Sequence, residues 1–131
     1  MLLMQLQAQE KFAFLFIAHH IAKSDGKFGN KERVMIKDYC IEMGIDDIFY
    51  DSKSYNLDEC LSKFKSSKSQ KILLLELMIL IHVDDKFNQN ESNLVDIISK
   101  KFNIDDIKVK YASSWGKTIS ALREQALLMI D

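Results

Sequence analysis

Nine residues, Ser24-Asp25-Gly26-Lys27-Phe28-Gly29-Asn30-Lys31-Glu32, return 59 positions later as Val83-Asp84-Asp85-Lys86-Phe87-Asn88-Gln89-Asn90-Glu91. Between Asp25 and Ile48, eight of 24 positions are identical to their offset partners, ending with Ile45-Asp46-Asp47-Ile48 against Ile104-Asp105-Asp106-Ile107. A repeat of this length is one supersecondary unit that cannot bury its apolar face alone. The chain therefore reads as a single domain over residues 1–131. Repeat one spans about 10–48 and repeat two about 69–107, and a helical segment covers about 106–130.

Apolar spacing makes both copies helical. Leu6 to Lys23 is apolar on most sides through Phe12, Phe14, Leu15, Phe16, Ile17, Ala18, Ile21 and Ala22, as in a helix at the centre of its domain. Its offset partner, Ile72 to Val83, is equally apolar, so two central helices are expected to pack about a pseudo-twofold axis. An amphipathic helix follows each: Met35, Ile36, Tyr39 and Met43 share one face, as do Leu94, Val95, Ile98 and Phe102. Gly44 and Asn103, which tolerate the left-handed conformation, stop these helices at matching positions. The aspartate pairs Asp46-Asp47 and Asp105-Asp106 then stand where a further helix begins.

Between the copies, Asp51 to Tyr55 reads as a surface connection. Asn56 caps a short helix from Leu57 to about Phe64, and Lys65 to Ser69 reads as a turn. The last segment, a further helix or a helix pair with Gly116 as the place where it could bend, uses Val109, Ala112, Ile119, Leu122, Ala126 and Leu127 for packing. The expected fold is an all-α, duplicated helical bundle of six or seven helices.

Several functions are excluded by composition. Net charge is −1 with both signs interspersed, so bulk charge draws the chain neither to nucleic acid nor to an anionic membrane. The longest apolar run, Ile72 to Val83, is twelve residues broken by Glu76 and His82, too short for a bilayer span of about 20 residues. The start lacks the basic and small-residue pattern of a secretory signal. Cys40 and Cys60 form no metal-binding spacing, which suits reduced thiols and a cytoplasmic protein.

The repeated loops hold the acids that invite chemistry: Asp25 with Glu32, and Asp84 with Glu91. Convergent carboxylates offer hard oxygen ligands, suited to calcium or magnesium. Neither loop is an EF-hand, since Ile21 and Lys23, or Leu80 and His82, stand where earlier ligands would be. Lys27, Lys31, Arg33 and Lys86 lie close by, so a cation would be held weakly. A second reading needs no ion: Glu32 and Glu91 sit where a glutamate reaches back to the helix N-cap, and Asp25 and Asp84 accept amides of their own turns. Phe28 and Phe87 plug the core beside these loops.

Other residues invite a similar choice. His19, His20 and His82 end the two central helices, and with Asp25 and Asp84 they would ligate a transition metal or titrate near neutrality. The offset partners of His19 and His20 are Met78 and Ile79, which favours packing instead. Glu76, alone in an apolar helix opposite Ile17 of the other copy, is a buried or interfacial acid. Trp115 is a partner anchor or a cover for the core edge.

An apolar helix ending in Asp25-Gly26, then Phe28, Glu32 opening an amphipathic helix, a Met43-Gly44-Ile45 stop and a diverged second copy together resemble the TerB-like domains of tellurite-resistance operons. The similar N-terminal domain of DjlA-type J-proteins shares this arrangement, and the likeness runs from about Glu10 to Phe102. It implies a non-enzymatic, all-helical domain of bacterial stress response, with divalent-cation binding through Asp25, Glu32, Asp84 and Glu91. The alternative is a metal-independent module for protein–protein interaction or self-association. A metal-assisted hydrolase comes third, since the chain offers neither a nucleophile motif nor a phosphate-binding glycine loop.

Overall fold

A computed structural model describes residues 1–24, 29–84 and 89–131, with Asp84 as backbone only. The described residues are all-α: six α-helices and two short 3-10 turns, without a strand. They form two compact units, Met1–Leu73 and Leu74–Asp131, with the division falling inside the fourth helix.

The first unit begins with a 3-10 turn, Leu3–Gln5, whose Leu3 is fully buried and whose Leu3 N–H donates to Glu42 Oε2 at 3.0 Å. Helix α1 (Ala8–Lys23) starts with a capping box, in which the Gln7 amide donates to Glu10 Oε1 at 2.7 Å. Most of the apolar run anticipated at the centre of the domain is buried, with Phe14, Leu15, Ile17 and Ala18 exposing nothing, but Phe12 is exposed and Phe16 half-buried. Helices α2 (Asn30–Met43) and α3 (Leu57–Ser62) both pack on α1. Phe14 meets Tyr39 of α2 edge to face at 5.0 Å, a geometry that aligns ring edge with ring face and adds to area burial.

In the second unit, the end of helix α4 (Ser67–Ile81) leads into a 3-10 turn, His82–Asp84, then α5 (Gln89–Lys101) and α6 (Asp106–Ile130). The amphipathic face of α5 is buried at Leu94, Val95 and Ile98, as that of α2 is at Met35, Ile36, Tyr39 and Met43.

Both amphipathic helices stop by the same device. Ile45 N–H donates to Cys40 O and Gly44 N–H to Ile41 O; Ile104 N–H donates to Ser99 O and Asn103 N–H to Lys100 O. Gly44 (φ 68°) and Asn103 (φ 56°) are both left-handed, completing matched Schellman caps.

Four expectations need correction. Lys65 to Ser69 is not a turn before the helix: Ser66 Oγ accepts the Ser69 amide at 3.0 Å, so α4 begins at Ser67. The serines supply the cap instead of breaking the helix. At its other end α4 stops at Ile81, and Val83 lies in the 3-10 turn.

The third correction concerns the aspartate pairs. Asp105 caps α6 by accepting the Lys108 amide at 2.9 Å, as expected. No helix follows Asp46-Asp47.

The last concerns α6, a single helix rather than a helix pair, in which Gly116 serves close packing. A Cβ at Gly116 would lie 2.5 Å from Met78 Cβ and 2.7 Å from the Met78 carbonyl carbon. Ala112, Gly116 and Ser120 form the buried stripe, Val109 and Ile119 are half-buried, and Leu122, Ala126 and Leu127 are exposed. The apolar periodicity of α6 continues two turns beyond the part that is covered.

Candidate functional site

The four repeated acids divide between described and undescribed residues. Asp25 lies outside the described residues, as do Asp85, Phe28 and Phe87, and the side chain of Asp84 does too. Glu32 and Glu91 occupy the third position of α2 and α5 and are both buried, at 7% and 8% exposure. The Glu32 carboxylate folds back over its own helix start. A Cβ on Gly29, the N-cap, would lie 2.7 Å from Glu32 Oε2, so glycine leaves the space that this carboxylate fills. Negative charge at that place complements the helix N-terminus. Among the described residues, no three His, Cys, Asp or Glu side chains gather as metal ligands do.

The histidines at the end of α1 engage the segment between α2 and α3. Buried His19 places Nε2 2.8 Å from Asp47 Oδ1, so its N–H donates to the carboxylate. Half-buried His20 places Nδ1 2.8 Å from the Tyr50 hydroxyl and stacks on Tyr55 with ring centroids 4.3 Å apart. Lys23 Nζ sits 4.8 Å from the centre of the Tyr50 ring, within reach of a cation–π contact.

Burial pushes the His20 pKa below its ordinary value. Burial, then the nearby Asp51, raises that of Tyr50. The neutral imidazole can accept the Tyr50 hydroxyl at Nδ1, and the set fastens an irregular segment to α1. Sequence reasoning found the histidines but missed Asp47, Tyr50 and Tyr55. The available signal was two adjacent histidines at a helix end, with an acid and two tyrosines in the following non-helical stretch.

The remaining flagged residues have plain positions. In the second unit, His82 Nε2 lies 3.0 Å from Ser113 Oγ of α6. Glu76 is buried, in line with its apolar repeat partner, and Trp115 is half-buried.

A groove of about 380 Å³ opens between α1 and α3, with Phe12, Phe16, Tyr55 and Cys60 among its walls. Asn56 fixes the start of α3 by accepting the Glu59 amide at 3.0 Å, which sets Cys60 one turn in. Burial, helped by Glu59, pushes the Cys60 thiol up to about 11, so little of it is thiolate at neutral pH and it reacts slowly, faster as the pH is raised. Cys40 is also a free thiol, shifted upward first by burial and then by Asp47 and Asp46.

A scan against protein-family models finds no match for the chain, and neither do comparisons with curated proteins and with solved structures. Among the described residues, no helix is long and apolar enough to cross a membrane.

Proposed function

We propose that the chain is a non-enzymatic, cytoplasmic, TerB-like domain of bacterial stress response that binds a divalent cation weakly through Asp25, Glu32, Asp84 and Glu91. The observation that carries this reading is the matched placement of Glu32 and Glu91. Each is the third residue of its helix, 59 positions apart, and each is withdrawn from solvent. Burying an ionised carboxylate is costly unless something compensates it. A helix N-terminus favours negative charge at that place, and a carboxylate there is a hard oxygen donor of the kind calcium or magnesium takes.

Calorimetric titration with calcium tests the reading, using the wild type and the double variant Asp25→Asn/Asp84→Asn. Saturable heat that vanishes in the double variant is the expected result, together with a melting temperature that falls in chelator, since an ion bound only by the folded state stabilises it. Absence of heat and an unchanged melt would reduce the four acids to helix caps.

One observation favours a second reading, a metal-independent interaction or self-association module. Leu122, Leu128, Met129 and Ile130 of α6 are more than half exposed, an apolar end of the kind that marks contact surfaces. Sedimentation velocity across a concentration series separates the two, because self-association through α6 persists in chelator.

A further inference from the structure

The groove between α1 and α3 plays no part in the cation reading. Its volume of about 380 Å³ falls within the range of about 300–1,000 Å³ typical of small-molecule sites. Three aromatic rings, Phe12, Phe16 and Tyr55, and the Cys60 side chain make its apolar surface, while Glu59 and Lys63 stand at its polar edge.

We propose that this groove binds a small, neutral, aromatic molecule of two or three rings. An apolar cavity of about 150 Å³ takes one benzene, so this one has room for roughly two or three rings. Neutrality follows from the edge. Glu59 and Lys63 are one helical turn apart with opposite charge, and a charged ligand would give up hydration at an apolar wall for no net counter-charge.

Aromatic character follows from the walls. Phe12 leaves 41% of its surface open to water, a large ring that a planar ligand would cover. Tyr55 is braced from one side by the His20 ring at 4.3 Å, and its buried hydroxyl has no hydrogen-bond partner among the described residues. Its ring is thus held by packing, and a wall fixed before binding lowers the ordering cost of the complex.

N-Phenyl-1-naphthylamine, a neutral three-ring dye that brightens in apolar surroundings, probes the full chain. The expected result is a saturable rise in emission, weakened about tenfold in Phe12→Ala, the loss of one ring-on-ring contact. Location is read with Ellman's reagent in Cys40→Ser, where Cys60 is the remaining thiol: bound dye should slow its reaction. Cys60→Trp, which fills the groove, should abolish binding; should it fail to fold, Phe12→Ala at an exposed position and the thiol readout decide alone. Emission that never saturates overturns the proposal. So does saturation that leaves the Cys60 rate unchanged, which would place the dye elsewhere, such as the apolar end of α6. Calcium and chelator have no bearing on this result, so its failure and that of the cation reading are distinguishable.

Discussion

Ile45-Asp46-Asp47-Ile48 and Ile104-Asp105-Asp106-Ile107 are the same four residues after the same Schellman cap, yet the chain leaves them differently. In the second unit Asp105 caps a 25-residue helix. In the first, no helix follows, and Asp47 turns to His19. Two differences outside the tetrapeptide decide the outcome. Lys108-Val109-Lys110-Tyr111-Ala112 continues into a stretch compatible with helix, whereas Phe49-Tyr50-Asp51-Ser52-Lys53-Ser54 brings residues that compete for the backbone. Asp51 does so, accepting the Lys53 amide on Oδ1 and the Tyr55 amide on its carbonyl. The facing residue differs too: His19 offers a donor where its partner Met78 offers only backbone and thioether, and Met78 is met by Gly116 instead. A duplicated motif conserves its stop more faithfully than what comes after it.

The comparison breaks most severely at Gly116. Gly116→Leu drives a side chain into Met78 backbone, which cannot yield as a flexible side chain can, and should cost about 3 kcal/mol in urea unfolding. Next come the equivalent aspartates. Asp47→Ala removes the acceptor of a buried imidazole N–H and should cost about 1–2 kcal/mol. Asp106→Ala, its offset partner at an exposed first turn, should stay within about 0.5 kcal/mol. Equal losses at both sites would refute the division of roles.

The two stops sharpen the contrast further. Asn103→Gly, which removes a Cβ from a left-handed residue, should stabilise by about 0.5 kcal/mol, while Gly44→Asn should cost a similar amount. A pH titration gives a smaller effect specific to the first unit. His20 has a folded pKa below its ordinary 6.5, so the unfolded chain takes up the proton first as pH falls. Its contribution is complete above 6.5 and is lost as pH drops toward the lowered value. His20→Gln should flatten that slope in melts recorded between pH 7 and 5. Smallest of all, Tyr55→Phe removes a buried hydroxyl that has no partner among the described residues and should leave the melting temperature unchanged or slightly raised.

Helices were legible wherever apolar spacing and caps pointed the same way. The buried faces of α1, α2 and α5, the Asn56 and Asp105 caps and the Gly44 and Asn103 stops could all be read from residue type and position. Misreadings arose where a residue type serves two opposed purposes. Serine caps as readily as it breaks, which hid the first turn of α4. Glycine permits close approach as well as bending, and only the partner surface shows which. The apolar pattern of α6 has the right period for burial throughout, but periodicity says nothing about whether a neighbour reaches that far. The candidate sites were legible by half: Glu32 and Glu91 declared themselves through the repeat. The Asp47, Tyr50 and Tyr55 cluster did not, because a non-helical segment carries no periodicity to say which side chains turn inward.

The close approach of α6 to Met78 also equips the chain with a reporter. Its single tryptophan, Trp115, is half-buried and is the residue beside Gly116, where α6 leaves no room for a Cβ against Met78. Indole emission from this half-buried ring reports on the second unit, while the first unit carries only tyrosine and phenylalanine as its chromophores. Exciting tryptophan alone follows the opening of the second unit, and tyrosine absorbance, weighted toward Tyr39, Tyr50 and Tyr55, follows the first. One unlabelled sample thus carries two colours, and the separation between their melting curves measures how independently the two compact units come apart.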